Sequence, residues 1–230
     1  MALPKITHVT KKILVPSCGR ELDFEPFTTA DEKRIVLLDD KSTAYDKALA
    51  QLETLEKCCQ DSTFNFRDIS VSEITYLFLQ LRKISVGADL ELVSTCPQCN
   101  EDFPITIDIS LIKFDPTNLK PLQITVQTDE GPYIIVCSQI TVEDLKYINP
   151  DGLHIDDAAV ALRRMMKPDG NDIIELTQEE KVELFNQLDS KDAKKIVEYL
   201  ASVPKLSYHL DIICPECSKE YGGELEDFFI

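Results

Sequence analysis

Positive charge is scarce in this chain. Lys and Arg number 24 against 41 Asp and Glu, for a formal net charge of −17. Such a balance repels nucleic acid and anionic membrane. It suits a subunit that must stay soluble or that meets a basic partner. No apolar run approaches the roughly 20 residues that a bilayer-spanning helix needs. Met1-Ala2-Leu3-Pro4-Lys5 lacks the apolar centre of a signal peptide, so a reducing cytosol is the expected place of synthesis. Glycine is held to seven residues and no low-complexity run occurs, which argues against disorder. There is no P-loop, G-x-G-x-x-G, G-x-S-x-G or H-E-x-x-H, so no catalytic residue is nominated. His8, His154 and His209 share no motif, and His209 reads as a surface or packing residue. The basic pairs Lys11-Lys12, Arg163-Arg164 and Lys194-Lys195 have no aromatic platform and make no nucleic-acid site. Asp39-Asp40, Asp156-Asp157 and Glu179-Glu180 read as solvated or helix-dipole charge.

What is present is a core and a cysteine pattern. At 43% apolar, with ten Phe and seven Tyr, 230 residues suffice for one large domain or two small ones. Ile6–Val15 and Glu21–Phe24 predict a hairpin turning at Ser17–Arg20. Thr29 with Glu32 reads as a capping box, followed by a helix. A longer helix spans 43–59, with Tyr45, Leu49, Leu52 and Leu55 on one face. Ser70 and Glu73 form a second box, before a helix whose Ile74, Leu77, Phe78, Leu79 and Leu81 wrap most of its circumference; it ends at Gly87. The character then turns to β. Strands are expected at 88–95, 103–109, 122–126, 133–137, 207–213 and 223–229, with a cluster of short helices across 141–203 started by Thr141, Thr177 and Ser190.

Cys96-Pro97-Gln98-Cys99 and Cys214-Pro215-Glu216-Cys217 are near copies, each followed by an aromatic four residues later, Phe103 and Tyr221. In a reducing compartment such pairs favour metal or redox chemistry over disulfides. A tight C-P-x-C turn between strands puts two sulfurs on one side, and two facing turns supply the four soft ligands of a structural Zn2+ site. The expected ligands are Cys96, Cys99, Cys214 and Cys217. Ribbons usually separate their knuckles by about 15 to 20 residues. The longer separation here is still affordable in entropy, at about 0.6 kcal/mol per doubling of loop length. It requires the intervening segment to fold with its ends together. Two separate sites, or four free or disulfide-bonded cysteines, remain open at this level. A thioredoxin-like role is disfavoured, because both pairs precede β-type sequence and Pro104 would break an early helix. Cys59 and Cys137 read as core; Cys18 and Cys58 carry no assignment.

The order of motifs bears a further resemblance. Leu14-Val15-Pro16-Ser17 leads to Phe24-Glu25-Pro26-Phe27-Thr28 and Glu32-Lys33. Then comes Tyr76-Leu77-Phe78-Leu79-Gln80-Leu81-Arg82-Lys83-Ile84-Ser85-Val86-Gly87, and then the first knuckle. This order resembles the baseplate hub assembly proteins of T-even-type contractile-tailed phages, over most of 13–110 and, through the second knuckle, at the C-terminus. The resemblance implies a non-enzymatic protein that acts in building the tail baseplate hub in the host cytoplasm, either retained in the virion or leaving after assembly, whose partners are other hub or tail proteins. It implies no nucleic acid, no membrane and no small-molecule substrate. The alternatives are a zinc-ribbon adaptor in a nucleic-acid or transcription complex and a thiol-disulfide oxidoreductase. The expected fold is α+β. A mainly helical domain with an N-terminal hairpin spans 1–87. A split zinc-ribbon domain spans 88–230, made of 88–110 and 206–230 around an α+β insertion at 111–205. The helical N-terminal domain, with its largely apolar Glu73–Ile84 helix, would be free to provide a docking surface.

Overall fold

The computed structural model describes residues 7–36, 42–116, 119–149, 155–202 and 206–226. It is mixed α and β, with small antiparallel sheets. The chain opens with β1 (Lys11–Val15) and β2 (Arg20–Phe24), a hairpin of five paired positions. Ile13, Val15, Leu22 and Phe24 point inward and their neighbours outward, the period-2 alternation of a sheet with one covered face. Helices α2 (Ala44–Cys58) and α3 (Val71–Ser85) cover that face, with α1 (Thr29–Val36) at the margin of the same core through Ile35. Next come β3 (Asp89–Thr95), β4 (Asp102–Asp108) and β5 (Lys113–Phe114). A four-stranded sheet follows, built of β6 (Leu122–Thr128), β7 (Gly131–Cys137), β8 (Leu162–Met166) and β9 (Ile174–Glu175) in that order. Helices α4 (Gln178–Gln187) and α5 (Ser190–Ala201) pack on it, and β10 (Leu206–Ile213) and β11 (Glu220–Glu226) end the described chain.

Helix α3 is the hub of the packing. Ile74, Leu77, Phe78 and Leu81 enter the first core, between the N-terminal hairpin and α2. Leu79 points the other way, into a second core with Ile109, Ile112 and Leu206. The all-round apolar pattern therefore marks a central helix covered on both sides, so any docking surface of this domain lies elsewhere than on the apolar faces of α3. Val142 and Leu145, from the segment after β7, also enter the first core, and the Val71 amide donates to the Ile140 carbonyl at 2.9 Å.

Several helix starts shift by one residue from those expected. The cap of α1 is Thr28 rather than Thr29. Both its amide and its hydroxyl donate to the Asp31 carboxylate, which is buried and also meets Lys57. Asp189, not Ser190, caps α5 by accepting from the Asp192 amide at 2.8 Å. Strands β8 and β9 lie where only short helices were expected. Leu162-Arg163-Arg164-Met165-Met166 has no alternation and is made of good helix formers. It is held extended by the neighbouring β7.

At α3 the box closes by half. The Ser70 hydroxyl accepts from the Glu73 amide at 3.2 Å, but the Glu73 carboxylate turns away and accepts from the Ser17 amide at 2.6 Å. This ties the β1–β2 turn to the start of the helix. Glu73 is fully buried and its second carboxylate oxygen has no partner. Burial pushes its carboxyl above the ordinary 4.5, against the pull of the Ser17 bonds. The folded state thus holds this proton more tightly than the unfolded chain, and stability declines as pH rises from about 4.5 through the folded value. Chemical denaturation across pH 4 to 7 should show this decline for the native chain and a flatter profile for Glu73→Gln.

Candidate metal centre

Two hairpins with matching turns build the site. Strands β3 and β4 pair from Asp89–Asp108 to Thr95–Asp102, and the first knuckle fills the turn between them. Strands β10 and β11 pair from Ser207–Glu226 to Ile213–Glu220, and the second knuckle fills the equivalent turn. Each turn is closed by the same two backbone bonds. The Cys96 amide donates to the Glu101 carbonyl and the Asn100 amide to the Cys96 carbonyl, both at 2.9 Å. Likewise the Cys214 amide donates to Lys219 and the Ser218 amide to Cys214, both at 3.0 Å. Asn100 (φ 60°) and Ser218 (φ 58°) occupy the same place in each and are both left-handed. This conformation is sparsely populated outside glycine but open to short polar side chains.

The four sulfurs of Cys96, Cys99, Cys214 and Cys217 lie within 4.8 Å of one another. The first cysteine of each knuckle meets the second of the other: Cys96 to Cys217 and Cys99 to Cys214, each at 3.6 Å. Four sulfurs about 2.3 Å from a shared tetrahedral ion would stand about 3.8 Å apart. The cluster is therefore close to the spacing of a four-thiolate site and could hold a metal ion. All eight cysteines are free thiols. Cys96 and Cys214 are buried, Cys217 is half-buried and Cys99 exposed, so one corner of the cluster faces solvent.

Crowding sets the electrostatics of the quartet. Burial opposes ionisation of Cys96, but the Cys99 and Gln98 amides and the neighbouring thiols outweigh it and bring its pKa down to about 6. Cys99 is pushed up to about 12: its Glu101 amide contact favours the thiolate, but burial and the other three sulfurs favour keeping the proton. Four crowded sulfurs cannot all ionise alone, and a divalent cation is what permits it. Cys96, whose pKa is brought down, is buried, and the exposed Cys99 is raised. That combination is unfavourable for attack on a disulfide substrate.

Packing fixes the two hairpins against each other. Phe103 and Ile212 lie buried beside Cys96 and Cys214, with Ile105, Leu210 and Tyr221 at their margins. The Tyr221 hydroxyl meets the Ser94 hydroxyl at 2.9 Å, a polar link between hairpins. The aromatic residue repeated after each knuckle thus has a packing role in both copies. Gly222 allows the tightest approach. A Cβ there would stand 1.9 Å from the Leu210 carbonyl oxygen, which is backbone and cannot swing aside. Gly222→Ala should cost on the order of 1–3 kcal/mol in chemical denaturation, and it should weaken metal retention against a chelator.

The segment between the knuckles returns to its origin. Phe114 of β5 pairs with Leu206 of β10, and Lys113 with Ser207, which places the two ends of the insertion on adjacent strands. This meets the requirement set by the long separation.

The remaining cysteines are elsewhere. Cys58 and Cys137 are buried, and burial pushes their thiols up to about 11 and about 12. Cys59 is half-buried beside the Asp61 carbonyl, and Cys18 is exposed. His209 is exposed near Asp211, at 3.3 Å, and His154 lies outside the described residues. Sequence reasoning missed one buried constellation. Arg163, read as half of a basic pair, turns inward and grips buried Asp144 with two nitrogens, at 2.9 and 2.5 Å. It also donates to Ser138 and to the carbonyls of Gln139 and Val160. Thr141-x-x-Asp144 was legible as a cap, and its bonds are made. Nothing in the sequence linked it to Arg163.

No helix among the described residues is long and apolar enough to cross a membrane. Residues 6–230 match the family model described as T4 bacteriophage base plate protein. Neither the curated proteins nor the solved structures contain a match.

Proposed function

The chain belongs to the T4 bacteriophage base plate protein family, and from that membership we propose a non-enzymatic part in building the central hub of the contractile tail baseplate. The match over residues 6–230 carries that reading; its metal part is supported by the sulfur cluster at the meeting point of two hairpins distant in sequence. Zn2+ is the ion of choice for four thiolates in a tetrahedron, and such sites are structural when no position is left open. Cys96, Cys99, Cys214 and Cys217 would hold it. When bound, the ion supplies charge neutralisation and a rigid cross-link, and no reaction.

On this reading the two hairpins form a split zinc ribbon at 88–110 and 206–230. It clamps the base of the 111–205 insertion, while residues 1–87 form the helical domain beside it. The backbone amides of Gln98, Cys99, Glu101 and Lys219 point toward the sulfurs and would offset their charge. Partners are other hub or tail proteins, met in the host cytoplasm and in the tail of the virion. An adaptor on nucleic acid is opposed by the net charge of −17.

The test is genetic. A phage whose gene for this chain is interrupted should yield heads but no complete baseplates by electron microscopy. The wild-type chain, supplied in trans, should restore them. Normal baseplates without the chain would refute the assignment.

A further inference from the structure

We propose that the groove between the two hairpins docks an extended, lysine- or arginine-bearing segment of a partner protein. The proposal rests on the reading that the chain acts through contacts with other tail proteins. The groove has a volume of about 470 Å³. Residues Phe103–Thr106 of β4 form one wall; Leu210–Ile213 of β10, with Pro215, form the other. Consecutive residues on each wall mean that strand edges border it, since a strand face shows only alternate residues.

Both edges are open. Strand β4 pairs with β3 alone. Strand β10 pairs with β11 on one side and, on the other, meets β5 only at Leu206 and Ser207. An open edge presents backbone donors and acceptors that an incoming strand can satisfy. Pro104, in the middle of β4, is tolerated because that strand has an unpaired side. Side chains add apolar contact. Phe103 and Ile212 are buried at the groove, and Ile213 stands at its wall 63% exposed.

Charge selects the occupant. Residues 89–108 carry Asp89, Glu91, Glu101, Asp102 and Asp108 and no lysine or arginine. The second hairpin adds Asp211, Glu216 and Glu220 against Lys219. Among the described residues, none of these carboxylates forms an ion pair with a lysine or arginine; Asp211 meets only His209. Acidic side chains on both hairpins, with Asp211 at the wall itself, thus flank a slot with open backbone edges. A second copy of the chain would bring like charge to it. A basic strand would bring complementary charge, faster encounter and specificity.

The probe is a fluorescein-labelled nine-residue peptide alternating lysine and valine, with a glutamate-for-lysine counterpart. Both are titrated into the full chain in its metal-bearing form. The lysine peptide is expected to bind, to weaken as salt rises from about 50 to about 300 mM, and to shift amide resonances on β4 and β10. Ile213→Lys, at an exposed position, should lower its affinity at least tenfold, and the glutamate peptide should not bind. Absence of binding at millimolar peptide, equal binding of both peptides, unchanged affinity in Ile213→Lys, or shifts confined to other elements would each overturn the proposal. Metal content and thiol count on the same samples read the cluster independently. Failed peptide binding by metal-bearing protein therefore falls on the groove alone.

Discussion

Serine in place of Cys96 or Cys214 should abolish metal retention and release the two hairpins from each other. Both residues are buried, and each sits 3.6 Å from a sulfur of the opposite knuckle. Beyond the second core at their bases, where Leu90 and Tyr208 pack beside Leu206, the described residues give the hairpins no other cohesion comparable to the cluster. Strands β3 and β4 form a sheet of two, and such a pair is marginal alone in water. The shared core is small, with only Phe103 and Ile212 buried in it besides cysteine. Metal binding in zinc peptides contributes about 10–16 kcal/mol, against about 0.5–3 kcal/mol for most single substitutions. Hydrogen exchange should therefore lose protection at β3, β4, β10 and β11 together, while α2 and α3, which pack in the first core, keep theirs. Cys18→Ser, at an exposed thiol outside the cluster, should change neither metal content nor exchange.

The second large effect is expected at Arg163. Its guanidinium holds both oxygens of Asp144, a carboxylate with 7% of its side chain exposed. In Arg163→Ala that charge would keep only the Thr141 bonds and Lys181, at 3.9 Å. Leaving one partner of a buried pair uncompensated costs about 3–5 kcal/mol, to be read from urea denaturation at neutral pH. Acid should narrow the difference. Burial pushes the Asp144 carboxyl up, but the Arg163 and Thr141 contacts prevail and hold it below the ordinary 3.8. A depressed folded-state pKa contributes stability above about 3.8 that is lost as pH falls through the folded value. The native chain and Arg163→Ala should therefore converge toward low pH. A constant gap down to pH 2 would show that the loss comes from packing rather than charge.

The sequence was most informative where local chemistry decides structure. The knuckles, both strands flanking each of them, the Thr177 cap and the encircling apolar pattern of α3 all follow from short-range rules. The convergence of the knuckles was legible only because their copies match, and the β5–β10 pairing that closes the insertion gave no local signal. Strand β8 was hidden for the opposite reason, since its helix-forming residues are extended by their neighbour β7. Arg163 and Glu73 were misplaced in kind. Each takes an ionisable group into the interior and meets a group distant in sequence, Asp144 for Arg163 and, for one oxygen of Glu73, the Ser17 amide. Helix α3 was rightly expected to be central, but its second face is covered by Ile109, Ile112 and Leu206 rather than left for a partner.

The most direct measurement is the metal content of the purified full chain by elemental mass spectrometry, paired with thiol titration before and after chelation. The account predicts about one zinc per chain and four thiols that become reactive together as the ion is removed. Metal-free protein whose knuckle thiols titrate freely, with the hairpins still protected from exchange, would contradict it.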